Sequence, residues 1–175
     1  MTQSLKRSLG SGVFYTALAK YSGIVISIGI GAVLSRLLTP EGFGIVALVT
    51  VFVTFFSLLS DFGIGPAVVQ NQQLTEEDIS SIYSFTIYFG IILGLLFFFS
   101  APLVSNFYDE PKLINISRLL SLSVLFNSFL IIPSAILQKQ LKFKLIGLLS
   151  ITIQLISGIL GVIMAFSGFS YYALI

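Results

Sequence analysis

The charged residues of this sequence leave four long stretches without a single charge. Glu41 and Asp61 enclose 19 uncharged residues, Asp78 and Asp109 enclose 30, Arg118 and Lys139 enclose 20, and 31 follow Lys144. A helix needs about 20 apolar residues to cross the hydrocarbon core of a bilayer. Each stretch therefore has room for one span, and the last has room for the start of another. Composition closes off the alternatives. Only 9% of the 175 residues are charged and 56% are apolar, whereas an ordinary soluble domain is roughly 25% charged. So few charges cannot cover a water-soluble surface. With 0 Cys and 0 His, a disulfide framework, a cysteine-ligated metal site and a histidine general base are excluded. The net charge of +2 is too small to point to nucleic acid. The expected fold class is an all-α membrane protein, with no cofactor and no metal.

Five spans and the opening of a sixth are expected: about 11–38, 43–60, 80–104, 113–138 and 145–166, with the sixth beginning near 169. Thr39-Pro40-Glu41-Gly42 is a helix stop and turn. Asp61-Phe62-Gly63-Ile64-Gly65-Pro66 disturbs the backbone after the second span, and Thr75-Glu76-Glu77-Asp78 is a capping run before the third. Lys6 and Arg7 followed by Ala17-Leu18-Ala19 imitate a cleaved signal. However, Gly10, Ser11, Gly12, Tyr15 and Thr16 make a poor hydrophobic region, so the segment is expected to stay. The final apolar run stops unfinished, which leads to the expectation of a fragment. Lys6, Arg7, Lys139, Lys142 and Lys144 lie on one side of the membrane, against Arg36, Lys112 and Arg118 on the other. The excess of positive charge places the N-terminus in the cytoplasm.

Lys20 is the most informative residue. It lies about 14 Å along a helix starting near Ser11, a depth at which an ammonium needs water or a partner. Thr16, Lys20, Gly23, Ser27 and Gly31 share one small, polar face. That favours a cavity-lining cation over a lysine snorkelling to the interface. Arg36 and Arg118 lie near span ends and are expected to be interfacial anchors, with Glu41 weighed as a partner of Arg36. In the fourth span Ser123, Asn127, Ser134 and Gln138 form a polar face, and Asn127 either meets substrate or joins helices. Gly23, Gly31, Gly90, Gly94, Gly158 and Gly161 lie in small-residue stripes and are expected to pack helices closely. Gln154 is the one residue of the fifth-span stripe expected to reach a cavity. Asp61 is expected to cap or terminate the second span rather than to bind a proton. Glu76, Glu77 and Asp78 point apart on a helix and do not converge on a metal.

Four segments in order carry a family likeness. Ser35-Arg36-Leu37-Leu38-Thr39-Pro40-Glu41-Gly42-Phe43-Gly44 resembles the end of the first helix and the first loop of bacterial polysaccharide exporters. Asp61-Phe62-Gly63-Ile64-Gly65-Pro66-Ala67-Val68-Val69-Gln70 resembles the end of their second helix. Leu137-Gln138-Lys139-Gln140-Leu141-Lys142-Phe143 resembles their loop after helix four. Gly168-Phe169-Ser170-Tyr171-Tyr172-Ala173-Leu174 resembles their turn into helix six. The chain is similar to the O-antigen flippase group, which includes colanic and teichuronic acid exporters, within the multidrug, oligosaccharidyl-lipid and polysaccharide exporter superfamily.

The resemblance implies two helical bundles around a central cavity, of which this chain matches the first. It implies alternating access and movement of an undecaprenyl-diphosphate-linked oligosaccharide across the bacterial inner membrane. It further implies cationic first-helix residues facing the cavity, as Lys20 would. The implied partners are lipid-linked oligosaccharide, membrane lipids, and polysaccharide polymerase and assembly proteins. Three other readings remain: a multidrug or cation antiporter of the same fold, a membrane-embedded glycosyl- or phospho-transferase, and a structural membrane subunit. Antiport is disfavoured because no span has a central carboxylate. Transferase chemistry is disfavoured because only the Glu76 region offers acidic groups.

Overall fold

The computed structural model describes the backbone of residues 2–175 and the side chains of residues 17–169 and 172–175. The described residues form helices and turns, with no strand among them. The helices are α1 (Thr2–Leu37), α2 (Pro40–Asp61), α3 (Ile64–Gln70), α4 (Glu76–Tyr108), α5 (Lys112–Lys139) and α6 (Phe143–Phe166), followed by a 3₁₀ turn at Ser170–Leu174. Among the described residues, five segments are long and apolar enough to cross a membrane: Ala17–Leu37, Pro40–Gln70, Glu76–Tyr108, Lys112–Lys139 and Phe143–Phe166. The chain is an all-α, multi-pass membrane protein.

Local chemistry sets the helix ends. Thr75 caps α4 through a reciprocal box. Its Oγ1 accepts from the Asp78 N–H at 3.1 Å, and its own N–H donates to Asp78 Oδ2 at 2.9 Å. Two orphan donors are satisfied at once, so α4 starts four residues before the apolar run and passes through the charged triplet. At the other end of α5, Leu141 adopts a left-handed φ of 56°. There the Leu141 N–H donates to the Gln138 carbonyl at 2.9 Å and the Lys142 N–H to the Leu137 carbonyl at 3.0 Å. This is the Schellman pattern, built without its usual glycine. Gly168 ends α6 in the same way, with φ 84°.

Two compact units make up the chain: residues 41–136, and residues 1–40 together with 137–175. Within residues 41–136, α4 and α5 approach closely. A Cβ on Gly90 would overlap the Ser128 side chain, and one on Gly94 would sit 3.4 Å from the Ser121 carbonyl oxygen. The buried face of α5 carries Ser117, Ser121, Val124, Ser128, Ile132 and Ala135. Phe97 is fully buried and stacks on Phe52 and Phe56, with centroids 6.4 and 4.9 Å away. The second-span disturbance is a break followed by a restart. Phe62 and Gly63 turn left-handed, with φ of 37° and 79°. Then α3 docks Val68 onto Ile132 and Ala135.

Within the other unit, α1 packs along α6, and the 3₁₀ turn folds back on α6. The pairing runs parallel: Gly23 lies by Gln154, and Ile30 lies by Gly158. A Cβ on Gly158 would overlap Ile30 Cδ1, and one on Gly161 would lie 2.8 Å from the Ala173 carbonyl oxygen. Gly31, expected on the same packing face, has nothing within 4 Å of such a Cβ.

Candidate functional site

Lys20 lines a cavity of about 380 Å³ together with Ala19, Gln138, Phe143, Ile146, Gly147 and Ser150. The positions on α6 recur at helical spacing on one face, starting at its first residue. The Schellman turn at Leu141 folds Gln138 back beside that first turn. Gly147 and Ser150 lie about 6 and 10 Å along α6 from Phe143, at 1.5 Å per residue. Lys20 thus lies beside the first turns of α6. Its side chain is exposed, and none of the described lining residues is acidic. The Lys20 ammonium and the Ser150 hydroxyl at one hollow offer donors to an anion's oxygens.

One turn deeper, Gln154 ties α6 to α1. Its Nε2 donates to the Gly23 carbonyl at 3.0 Å and to Ser27 Oγ at 2.6 Å. Gly23 leaves room for the amide, since a Cβ there would sit 2.9 Å from Gln154 Oε1. Both amide hydrogens are therefore committed to α1. Thr16, placed by the sequence on the face of Lys20, lies outside the residues whose side chains are described.

The remaining expected residues take their places within their own units. Asn127 is exposed on α5, and its neighbour Ser128 is buried. The buried serines Ser117, Ser121 and Ser128 therefore form a different face from Ser123, Asn127, Ser134 and Gln138. Arg36 is exposed near the end of α1. Glu41 pairs with Lys112, Nζ to Oε1 at 2.7 Å, so the partner weighed for Arg36 is engaged elsewhere. Arg118 lies over the Phe98 ring, 5.2 Å from its centroid, where a cation meets the negative face of the π-system. Asp61 does terminate α2, and its Oδ1 also accepts from the Gly65 N–H in the first turn of α3 at 3.1 Å.

Sequence reasoning missed two groupings. Gln138, Gly147 and Ser150 were each visible as polar or small residues, but nothing local joined them to Lys20. The Glu41–Lys112 pair joins residues 71 positions apart, beyond any helical spacing.

Residues 33–175 match the family model described as polysaccharide biosynthesis protein. Among curated relatives, the lipopolysaccharide biosynthesis protein WzxC of Escherichia coli K12 is 28% identical over 155 residues, covering 83% of this chain and 30% of that protein. The teichuronic acid biosynthesis protein TuaB of Bacillus subtilis 168 is 29% identical, covering 85% and 31%. The succinoglycan biosynthesis transport protein ExoT of Rhizobium meliloti 1021 is 24% identical, covering 82% and 29%. The chain thus spans about 30% of the length of these relatives. No solved structure matches it at a significant level. With the match running through α2 to α6, the chain belongs to the polysaccharide biosynthesis protein family.

Proposed function

We propose that this protein takes part in flipping an undecaprenyl-diphosphate-linked oligosaccharide across the bacterial inner membrane, by alternating access and with a cytoplasmic N-terminus. The family match over residues 33–175 carries the reading, since the relatives it shares are named for polysaccharide biosynthesis and transport. The physical demand is plain. A diphosphate cannot cross hydrocarbon bare, whereas a polyprenyl tail can remain in lipid. A protein serving this step needs a hydrated, cation-bearing path flanked by lipid-facing helices. Asn127 is an exposed polar group of the kind such a path requires. The role is transport rather than catalysis.

The test is to delete the gene and extract the membrane lipids. The expected result is lipid-linked oligosaccharide accumulating on the inner leaflet while surface polymer disappears. Unchanged surface polymer, or the loss of lipid-linked sugar synthesis itself, would overturn the proposal, the latter by favouring a transferase.

A further inference from the structure

We infer that the cavity lined by Lys20, Gln138 and Ser150 is a binding site for the headgroup phosphate of an anionic glycerophospholipid in the leaflet on the α5–α6 turn side. Three observations converge on this ligand. The first is the donor set: an ammonium and a hydroxyl line one hollow with no acidic residue among its described lining. Phosphate oxygens accept from both, and a choline or amine headgroup offers no matching net charge.

The second is depth. The lining residues of α6 occupy its first turns, Phe143 to Ser150, about 10 Å of helix. Lipid phosphates stand at that boundary, so the ligand reaches the site without leaving its leaflet. The third is the surrounding charge. Lys139, Lys142 and Lys144 flank the turn that delivers Gln138 and Phe143 to the cavity. Basic pockets between membrane helices near such loops collect anionic headgroups. The cavity walls are otherwise apolar, from Ala19, Phe143 and Ile146, which suits the glycerol and the upper acyl carbons. At about 380 Å³ the hollow falls within the range of small-ligand sites.

This inference does not rest on the transport reading, and binding is measured apart from export. Purified full-length protein is incubated with phosphatidylglycerol or phosphatidylcholine, and bound lipid is counted by native mass spectrometry. Phosphatidylglycerol is expected to be preferred, and Lys20→Gln to lower that preference about fivefold, the factor for one lysine at an anionic surface. Ser150→Leu fills the hollow while keeping every charge, and is expected to lower it as well. Arg36→Gln, at the far end of α1, is expected to leave it unchanged. Equal binding of the two lipids would overturn the inference, as would a full preference surviving Lys20→Gln. Equal losses in Lys20→Gln and Arg36→Gln would overturn it by showing bulk charge alone. Lys20-dependent binding of undecaprenyl phosphate without any phosphatidylglycerol preference would assign the cavity to another lipid, and the inference would fall.

Discussion

The two units solve the same problem with different materials. In residues 41–136, α4 and α5 each bury a third of their most apolar stretch, against 11% in α6 and 6% in α1. The first unit is held by shape, with small residues letting helices approach and a stacked phenylalanine group filling the space between α2 and α4. The unit of α1 and α6 also uses close fits, at Gly158 and Gly161, but adds a half-buried amide tie between helices, and it carries the lysine-lined cavity. Lipid is as apolar as leucine, so membrane helices gain little by hiding apolar side chains. Tight steric fit is one answer to that shortage and interhelical hydrogen bonding is the other. The polar answer leaves room for a site.

The largest effect should come from breaking the steric fit. Gly90→Val forces a branched side chain into Ser128 and is expected to destabilise by about 3 kcal/mol, the upper end for overpacking, read as a lowered Tm in detergent. Gly31→Val meets open space and should change stability by less than about 0.5 kcal/mol. Gly158→Ala should fall between them, because the Ile30 side chain it meets can change rotamer. Equal effects of Gly90→Val and Gly31→Val would refute the contrast between shape and amide.

Next comes the polar tie. Gln154→Leu removes both bonds to α1, and membrane hydrogen bonds average about 0.6 kcal/mol with a maximum near 1.7. A loss of about 1–2 kcal/mol is expected, with faster hydrogen exchange in α1 and not in α4 or α5. Exchange rising equally in both units would mean the amide does not act locally. Ser60 offers the reverse sign. Its hydroxyl is buried without a partner among the described residues, so Ser60→Ala should be neutral or stabilising by up to about 1 kcal/mol, as relief of an unsatisfied group.

The spans were legible because hydrocarbon excludes charge, and the gaps between charges measure that exclusion directly. Helix ends were less so. Hydropathy reports bilayer thickness, whereas α4 runs on to Glu76 because Thr75 and Asp78 cap it. The helix α3 was hidden because Gly63 and Pro66 signal a break without saying that Asp61 restarts the chain. On α5 the sequence singled out Asn127, but burial chose the face of Ser128, about 100° away. A serine facing glycine packs as a small residue, and its hydroxyl is served by the carbonyl of Val124 at 3.1 Å. For Lys20 the helical wheel groups Gly23 and Ser27 with it, but its cavity neighbours come from the far end of the chain. Partners such as Ser150 lie 130 positions away in sequence, and no local pattern reaches that far.

The smallest expected effect concerns the ion pair at the α2 and α5 starts. Glu41 and Lys112 meet at 2.7 Å, but their side chains remain 66% and 47% exposed. Exposed pairs lose most of their Coulomb attraction to water and spend side-chain entropy on holding one geometry. Glu41→Gln should therefore leave the detergent Tm within experimental scatter at about 0.15 M salt, where charges are screened beyond roughly 8 Å. Any deficit should appear only as salt is lowered. A large, salt-independent loss would mean that the pair is shielded from solvent, and that electrostatics as well as shape holds the unit of residues 41–136 together.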